Sequence, residues 1–140
     1  MTNGKGGAKR TITVVEDNPA DVYLLRHALN AHNVNYEMKV LSDGRQAMEY
    51  VDAAEKENFE YPELVILDLN LPVCGGLEVL EHIRMSPRLA HVRAVILTTS
   101  EARQDRERAD ALGIEMYLHK PTNLDDFIRL GAPLKLLLAM

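Results

Sequence analysis

The sequence predicts an α/β fold built on a doubly wound parallel sheet. Short apolar or β-branched segments alternate five times with segments whose apolar residues recur at helical spacing. The segment Leu64–Leu67 is wholly apolar, which is typical of a strand buried on both faces of a parallel sheet. Because each strand-helix-strand crossover should be right-handed, we expect helices on both faces of the sheet.

The five predicted strands are short, and a turn or polar residues follow each of them. In chain order they are Thr11–Val15, Tyr36–Leu41, Leu64–Leu67, Ala94–Leu97 and Met116–Leu118. The first is β-branched throughout, a composition that favours a pleated strand. Ser42-Asp43-Gly44 predicts a turn after the second strand, because these residue types favour turn conformations.

Capping and breaking residues set the expected bounds of the helices. Asn18 can cap the first helix and Pro19 fits its first turn, while Gly113 closes the fourth. The predicted helices run from Pro19 to about His32, from Ala47 to Ala54, from Leu77 to Met85, from Ala102 to Leu112, and onward from about Asn123.

Composition and charge exclude several classes of protein. The 140 residues have the size of one domain, which we assign to residues 10–140, and residues 1–9, with three glycines, form a flexible tail. The net charge of -5 argues against a nucleic-acid or anionic-membrane surface. No apolar run approaches the roughly 18 residues of a spanning helix. The single cysteine, Cys74, suits a reducing cytoplasm, which is the expected location.

Polar side chains follow four of the five predicted strands. They are Glu16 and Asp17, Asp68, Thr98, and Lys120. The carboxyl ends of parallel strands share one edge of the sheet, where open α/β folds bind their ligands. Three converging carboxylates repel one another and require a cation or a raised pKa. Since the candidate ligands are all oxygen atoms, Mg²⁺ is favoured over Zn²⁺.

This set of residues is suited to phosphoryl transfer, with Asp68 as the nucleophile. Lys120 would place a compact positive charge beside the phosphoryl oxygens, and the Thr98 hydroxyl could donate to another oxygen. In-line transfer requires positioning and charge neutralisation above all. The competing interpretation is that Asp68 merely begins a turn, and its strand alone does not decide between the two.

The chain after its tail resembles the receiver domain of two-component response regulators. The matching segments are Val14-Val15-Glu16-Asp17-Asn18, Val65-Ile66-Leu67-Asp68-Leu69-Asn70-Leu71-Pro72, Gly75-Gly76, Thr98-Thr99-Ser100 and Lys120-Pro121. Their order and spacing are typical of the family, with Thr98 30 positions after Asp68 and Lys120 a further 22 positions on. The 51 positions from Asp17 to Asp68 exceed those of the shortest receivers.

The resemblance implies a flavodoxin-like fold with strand order 2-1-3-4-5 and a phosphorylation site at the strand ends. Asp68 would accept a phosphoryl group from a phosphohistidine on a sensor histidine kinase. The ligands of one Mg²⁺ would be Glu16, Asp17, Asp68 and the backbone carbonyl of Asn70. Such a protein is not an enzyme beyond, at most, catalysing its own dephosphorylation.

The resemblance also implies a conformational switch. Thr98 and Lys120 would bind the phosphoryl oxygens, and Tyr117 would swing inward as Thr98 moves toward the phosphate. The surface formed by helix 4, strand 5 and helix 5 would then change for a downstream protein. The Lys120–Pro121 peptide bond resembles one that is cis in the family, a conformation tolerated before proline.

A narrower resemblance involves the start of the first helix. The segment Glu16–Asp21, followed by Leu24-Leu25, is similar to a subgroup of small receivers, some of which partner phytochrome-type histidine kinases. It points to a light-sensing kinase as the partner. Within this segment, Asp21 is interpreted as a solvated first-turn acid that the helix dipole favours.

Three other functions compete with a phosphoacceptor switch. A haloacid-dehalogenase-like phosphatase would need an aspartate general acid at the position of Asn70. A flavodoxin-like FMN carrier would need a phosphate-binding loop after strand 1, where Glu16 and Asp17 would repel a phosphate. A degenerate receiver would act by binding alone, although every expected site residue is present.

The C-terminal residues 131–140 form an apolar extension of the domain. Gly131-Ala132-Pro133 is expected to break or kink the fifth helix, because proline removes a hydrogen bond. Leu134–Met140 holds more apolar residues than one helix face can bury. We therefore expect a homodimer that uses the surface of helix 4, strand 5 and helix 5 together with this extension.

Overall fold

The computed structural model describes residues 9–140 and has the predicted α/β architecture. Five parallel strands form one sheet in the order β2-β1-β3-β4-β5. The strands are β1 Arg10–Val15, β2 Tyr36–Leu41, β3 Leu64–Leu67, β4 Arg93–Thr98 and β5 Met116–His119. The helices are α1 Pro19–Ala31, α2 Gly44–Asp52, α3 Gly76–Met85, α4 Arg103–Ala111, α5 Leu124–Arg129 and α6 Gly131–Ala139, with a 3-10 turn at Ala53–Glu55.

Side-chain caps fix the starts of three helices. At the start of α1, Asn18 Oδ1 accepts a hydrogen bond from the backbone N–H of Ala20 at 2.9 Å. At the start of α2, Asp43 Oδ1 accepts from the backbone N–H of Gln46 at 2.7 Å. At the start of α5, Asn123 Oδ1 accepts from the backbone N–H of Asp126 at 2.9 Å. The Asp43 cap starts α2 three residues before the predicted Ala47. The predicted tail lies, except for Lys9, outside the described residues.

Two apolar clusters cover the two faces of the sheet. One lies against α2, α3 and α4 and the other against α1, α5 and α6. Successive residues of β3 alternate between them, with Val65 and Leu67 in the first cluster and Leu64 and Ile66 in the second. This strand is therefore buried on both faces, as its unbroken apolar run predicts.

The C-terminal extension folds as a separate helix against α1. The break after α5 falls at Leu130, one residue before the predicted segment, and Pro133 lies in the first turn of α6, where its missing N–H would have no helical partner. The buried residues of α6 include Leu134, Leu137 and Leu138. Leu136 and Met140 remain 68% and 86% exposed. The apolar surface left over is therefore smaller than the sequence suggests.

Two hydrogen-bonded arginines connect elements at the amino ends of the strands. Arg93 Nη1 donates to the carbonyl oxygen of Leu137 at 2.6 Å and joins β4 to α6. The partly buried Arg84 of α3 donates to four backbone carbonyls in the loops that precede β4 and β5. These belong to Ala90 (3.1 Å), Val92 (2.6 Å), Leu112 (2.7 Å) and Gly113 (3.2 Å).

The predicted cis bond between Lys120 and Pro121 is wrong, because this peptide bond is trans in the structure. A bond to proline favours trans by only about 0.5–1 kcal/mol, so the sequence alone does not fix the isomer. Within residues 9–140, no helix combines the length and apolar character needed to cross a membrane.

Candidate functional site

The carboxyl ends of β1 and β3 bring three carboxylates together. One carboxylate oxygen each from Glu16, Asp17 and Asp68 lies within 4.8 Å of the other two. Glu16 and Asp68 are each only 5% exposed, whereas Asp17 is exposed. Three oxygen donors at this spacing suit a hard divalent cation such as Mg²⁺. The structure thus assembles the predicted acidic cluster.

Lys120 follows β5 and reaches into the same site. Its Nζ lies 2.7 Å from Glu16 Oε1, 2.7 Å from Asp21 Oδ2 and 2.8 Å from Asp68 Oδ2. The side chain is 7% exposed. An ammonium group has three hydrogens, and each of them has a separate carboxylate here. Lys120 is therefore fully hydrogen-bonded at the carboxyl edge of the sheet.

Asp21 is a site residue that its interpretation as a solvated first-turn acid missed. It lies in the first turn of α1, and Asn18 holds the start of this helix directly after β1. The helix therefore begins at the edge of the sheet where the other carboxylates lie. The sequence does indicate this position, because Asp21 follows strand 1 closely and falls in the first turn of the next helix. The first turn of such a helix lies beside the carboxyl ends of the strands.

Burial and charge shift the pKa values of two groups in the site. Burial raises the pKa of Glu16, and the hydrogen bond from Lys120 only partly offsets it. Burial alone would lower the pKa of Lys120, but its hydrogen bonds to Asp21, Asp68 and Glu16 outweigh that effect and raise the pKa above its ordinary value. Lys120 therefore stays charged at neutral pH.

The backbone around Asp68 holds its carboxylate in place. Oδ1 accepts a hydrogen bond from the backbone N–H of Asn70 at 3.1 Å, while Oδ2 accepts from Lys120. Gly76 begins α3 against the backbone of Asp68, and a Cβ at this position would collide with the Asp68 carbonyl oxygen. A glycine is therefore required for α3 to start this close to the backbone of Asp68.

Thr98 lies at the carboxyl end of β4, beside β3, the strand that Asp68 follows. Leu67 lies opposite Ile96 in the β3–β4 ladder, so Thr98 is one residue beyond the position opposite Asp68. The Thr98 side chain is buried, its Oγ1 accepts from the backbone N–H of Ser100 at 3.3 Å, and its carbonyl accepts from the backbone N–H of Lys120 at 2.8 Å. This last bond fixes the backbone of Lys120 to β4.

The predicted switch residue Tyr117 is partly buried between α4 and the loop after β4. Its hydroxyl donates to the carbonyl oxygen of Ser100 at 3.1 Å. The Arg106 guanidinium carbon lies 5.1 Å from the centre of the ring, within the range of a cation–π contact. Tyr117 is thus tied to the segment that directly follows Thr98, and its predicted movement remains a prediction.

This geometry defines a class of protein. Its members have a parallel α/β sheet with an acidic oxygen-donor site and a buried lysine at the carboxyl edge. A family model described as the response regulator receiver domain matches residues 12–130. The chain therefore belongs to the receiver domain family of response regulators. Proteins of this family partner with sensor histidine kinases in phosphorelay signalling.

Two similar proteins, one of them matched by both its sequence and its solved structure, support this assignment along nearly the whole chain. The response regulator Rcp1 of Synechocystis sp. is 37% identical over 122 residues, which cover 86% of this chain and 83% of Rcp1. The phosphorylated cyanobacterial phytochrome response regulator RcpA is 35% identical, with a TM-score of 0.82 over 91% of this chain and 92% of RcpA. The Mn²⁺-bound form of Rcp1 is 35% identical, with a TM-score of 0.80 over 90% and 91% of the two chains.

Proposed function

We propose that Asp68 is the phosphoacceptor of this response regulator. The observation that carries the proposal is the buried Asp68 carboxylate, held 2.8 Å from the Lys120 ammonium within the acidic cluster. Attack by an Asp68 oxygen on the phosphorus of a kinase phosphohistidine forms a P–O bond. The P–N bond breaks, and its electron pair stays on the imidazole nitrogen. Lys120 and the Thr98 hydroxyl stabilise the charge on the phosphoryl oxygens.

The proposed cofactor is one Mg²⁺ at the acidic cluster. The residues that would hold it are Glu16, Asp17, Asp68 and the backbone carbonyl of Asn70. The donor set fits, because all of these ligands are oxygens and Mg²⁺ keeps several waters, through one of which Glu16 would act while Asp17 would bind the ion directly. The Mn²⁺ bound to Rcp1, a relative, supports a divalent ion here. The ion would neutralise charge on the transferred group.

The test is incubation with acetyl phosphate and Mg²⁺ followed by intact-mass measurement. The wild-type chain should gain the mass of one phosphoryl group, and Asp68→Asn should gain none. Chelation of Mg²⁺ should stop the uptake. Asp125→Asn, which neutralises an exposed first-turn acid of α5, is the matched control and should behave as wild type. A mass gain in Asp68→Asn equal to that of wild type would assign the acceptor to another residue.

The proposed output is a change of the surface formed by α4, β5 and α5. Thr98 moves toward the phosphoryl group and Tyr117 follows it, which is supported by the bond from Tyr117 to Ser100 two residues beyond Thr98. The proposed partners are a sensor histidine kinase of the phytochrome type and a downstream protein. The phytochrome response regulator RcpA supports the first of these. Transfer from a purified phytochrome-type kinase, measured in darkness and in light, tests it.

We further propose a cytoplasmic homodimer that uses the α4–β5–α5 surface and α6. The exposed apolar side chains of Leu136 on α6 and Leu124 on α5 support an interface there. Light scattering should give twice the chain mass for wild type and one chain mass for Leu136→Glu. Met85→Glu replaces an exposed apolar residue on α3 and should leave the dimer intact. A wild-type monomer at high concentration, with and without phosphorylation, contradicts the dimer.

A phosphatase activity toward other substrates is the weaker alternative. Asn70, at the position of the general acid in aspartate-nucleophile phosphatases, cannot donate a proton to a leaving group as an aspartic acid does. The chain should therefore turn over its own acyl phosphate at most. Steady release of nitrophenol from nitrophenyl phosphate by wild type, abolished in Asp68→Asn, would favour the enzyme instead.

A further inference from the structure

Asp21 contacts the ammonium group of Lys120 but does not belong to the acidic cluster of Glu16, Asp17 and Asp68. Its Oδ2 lies 2.7 Å from Lys120 Nζ, the same distance as Glu16 Oε1. The cluster whose oxygens are spaced for a metal contains Glu16 and Asp68, together with Asp17, but not Asp21. Of the three carboxylates around Lys120, two are thus candidates for a metal and one is not.

This division matters because Lys120 occupies carboxylates that a divalent cation would also need. An ammonium held only by Glu16 and Asp68 would compete with the cation for both groups. The Asp21 carboxylate offers a third acceptor that neither the cation nor the phosphoryl group requires. Both partners of this contact have fixed backbones, since the Asn18 cap holds the first turn of α1 and the Lys120 N–H is bonded to Thr98.

We infer that Asp21 is a positioning residue that acts through Lys120. It holds the ammonium at the phosphorylation site while Glu16 and Asp68 turn to the metal, and it keeps Nζ beside the oxygens of the arriving phosphoryl group. The inference rests on the proposed phosphoacceptor function. It assigns a role to a residue 99 positions away from its partner in the sequence.

The experiment compares Asp21→Ala and Asp21→Asn with wild type. The initial rate of phosphorylation by acetyl phosphate should fall about tenfold in Asp21→Ala, because a charge-assisted hydrogen bond to Lys120 is lost. Asp21→Asn should recover part of this rate, since its amide oxygen still accepts from Nζ. The Mg²⁺ affinity, measured by titration calorimetry, should fall several-fold in Asp21→Ala as Lys120 returns to Glu16 and Asp68.

A Lys120→Met background shows whether Asp21 acts through the lysine. In that background, Asp21→Ala should change the Mg²⁺ affinity much less than it does beside the native lysine. Asp125→Asn, the matched first-turn control on α5, should match wild type in rate and affinity. Thermal unfolding of each variant confirms that it is folded.

The outcomes separate this inference from the phosphoacceptor function. A wild-type rate and Mg²⁺ affinity in folded Asp21→Ala and Asp21→Asn would overturn the inference and leave Asp68 as the acceptor. An equal loss of affinity in the native and Lys120→Met backgrounds would also overturn it, because the effect would then be one of general charge. A wild-type chain that takes up no phosphoryl group would overturn the phosphoacceptor function first.

Discussion

Lys120 and Arg84 are two partly or largely buried cations at opposite ends of the same sheet, and they are stabilised in different ways. Lys120 lies at the carboxyl ends of the strands and contacts three carboxylates. Arg84 lies near the amino ends of β4 and β5 and donates to four neutral backbone carbonyls. Burial lowers the pKa of Arg84, whereas the carboxylates raise that of Lys120.

The difference indicates which end of the molecule can change state. Backbone carbonyls carry no net charge and bind no competing ion strongly, so the planar guanidinium of Arg84 forms a permanent connection between two loops. In the proposed function, the carboxylates around Lys120 exchange the ammonium for a metal, and Asp68 accepts a phosphoryl group. The same sheet thus joins a fixed structural end to an exchangeable functional end.

The largest expected effect comes from removing the fixed cation. Arg84→Met should lower the free energy of unfolding by about 4 kcal/mol, because several carbonyls lose their hydrogen-bond donor at once. Urea unfolding measures the change, with exposed Arg103→Met as the control. Mg²⁺ should restore none of the lost stability. A loss below that of Arg103→Met would show that water replaces the guanidinium without cost.

Removing the Lys120 ammonium should lower the free energy of unfolding somewhat less, and Mg²⁺ should recover part of the loss. Lys120→Met should lower the free energy of unfolding by about 3 kcal/mol without Mg²⁺, because buried carboxylates lose their counter-charge. Added Mg²⁺ should recover part of this loss by replacing the missing positive charge. The measurement is urea unfolding at several Mg²⁺ concentrations. Stability that is indifferent to Mg²⁺ in this variant would remove the distinction from Arg84.

Alkaline pH should weaken the Lys120 end before the Arg84 end. The folded pKa of Lys120 is raised above its unfolded value of about 10.4, so its stabilisation is complete below that pH and is lost as pH rises through the folded pKa. Thermal unfolding between neutral pH and pH ~12 should therefore show a steeper loss in wild type than in Lys120→Met. Equal slopes in the two proteins would contradict this assignment.

The smallest expected effect is that of replacing Asp68, the proposed phosphoacceptor. Asp68→Asn removes one of the three carboxylates that contact the Lys120 ammonium and lowers the repulsion among them, so it should raise the free energy of unfolding by up to about 1 kcal/mol without Mg²⁺. Adding Mg²⁺ should reverse the order of wild type and variant, because wild type binds the ion better. A large destabilisation by Asp68→Asn at low Mg²⁺ would indicate that its bond to Lys120 outweighs the repulsion.

Local patterns in the sequence predicted most of the fold and the carboxylate strand. The apolar run of β3 could be recognised because burial on both faces leaves no polar residue in it. Asp21 could not be recognised in the same way, because first-turn acids are common and its partner Lys120 is 99 positions distant. Only the folded chain brings these two groups together.

The burial of the C-terminal leucines could not be predicted from local sequence patterns either. Leu134–Met140 reads as an excess of apolar residues, and how many of them reach the core depends on the angle at which the chain leaves α5. Gly131 allows this segment to approach α1 closely, since a Cβ there would collide with the carbonyl oxygen of Ala28 in α1. The isomer of the Lys120–Pro121 bond likewise depends on tertiary contacts.

Because α6 contributes to the core, the segment that matches the receiver family and the segment needed for folding end at different residues. The receiver family model stops at Leu130, but the core on the α1 side continues through Leu134, Leu137 and Leu138. Truncating a single buried leucine costs about 2–5 kcal/mol, and a whole domain is stable by only about 5–15 kcal/mol. A chain cut after Leu130 would keep every matched residue and still be expected to unfold.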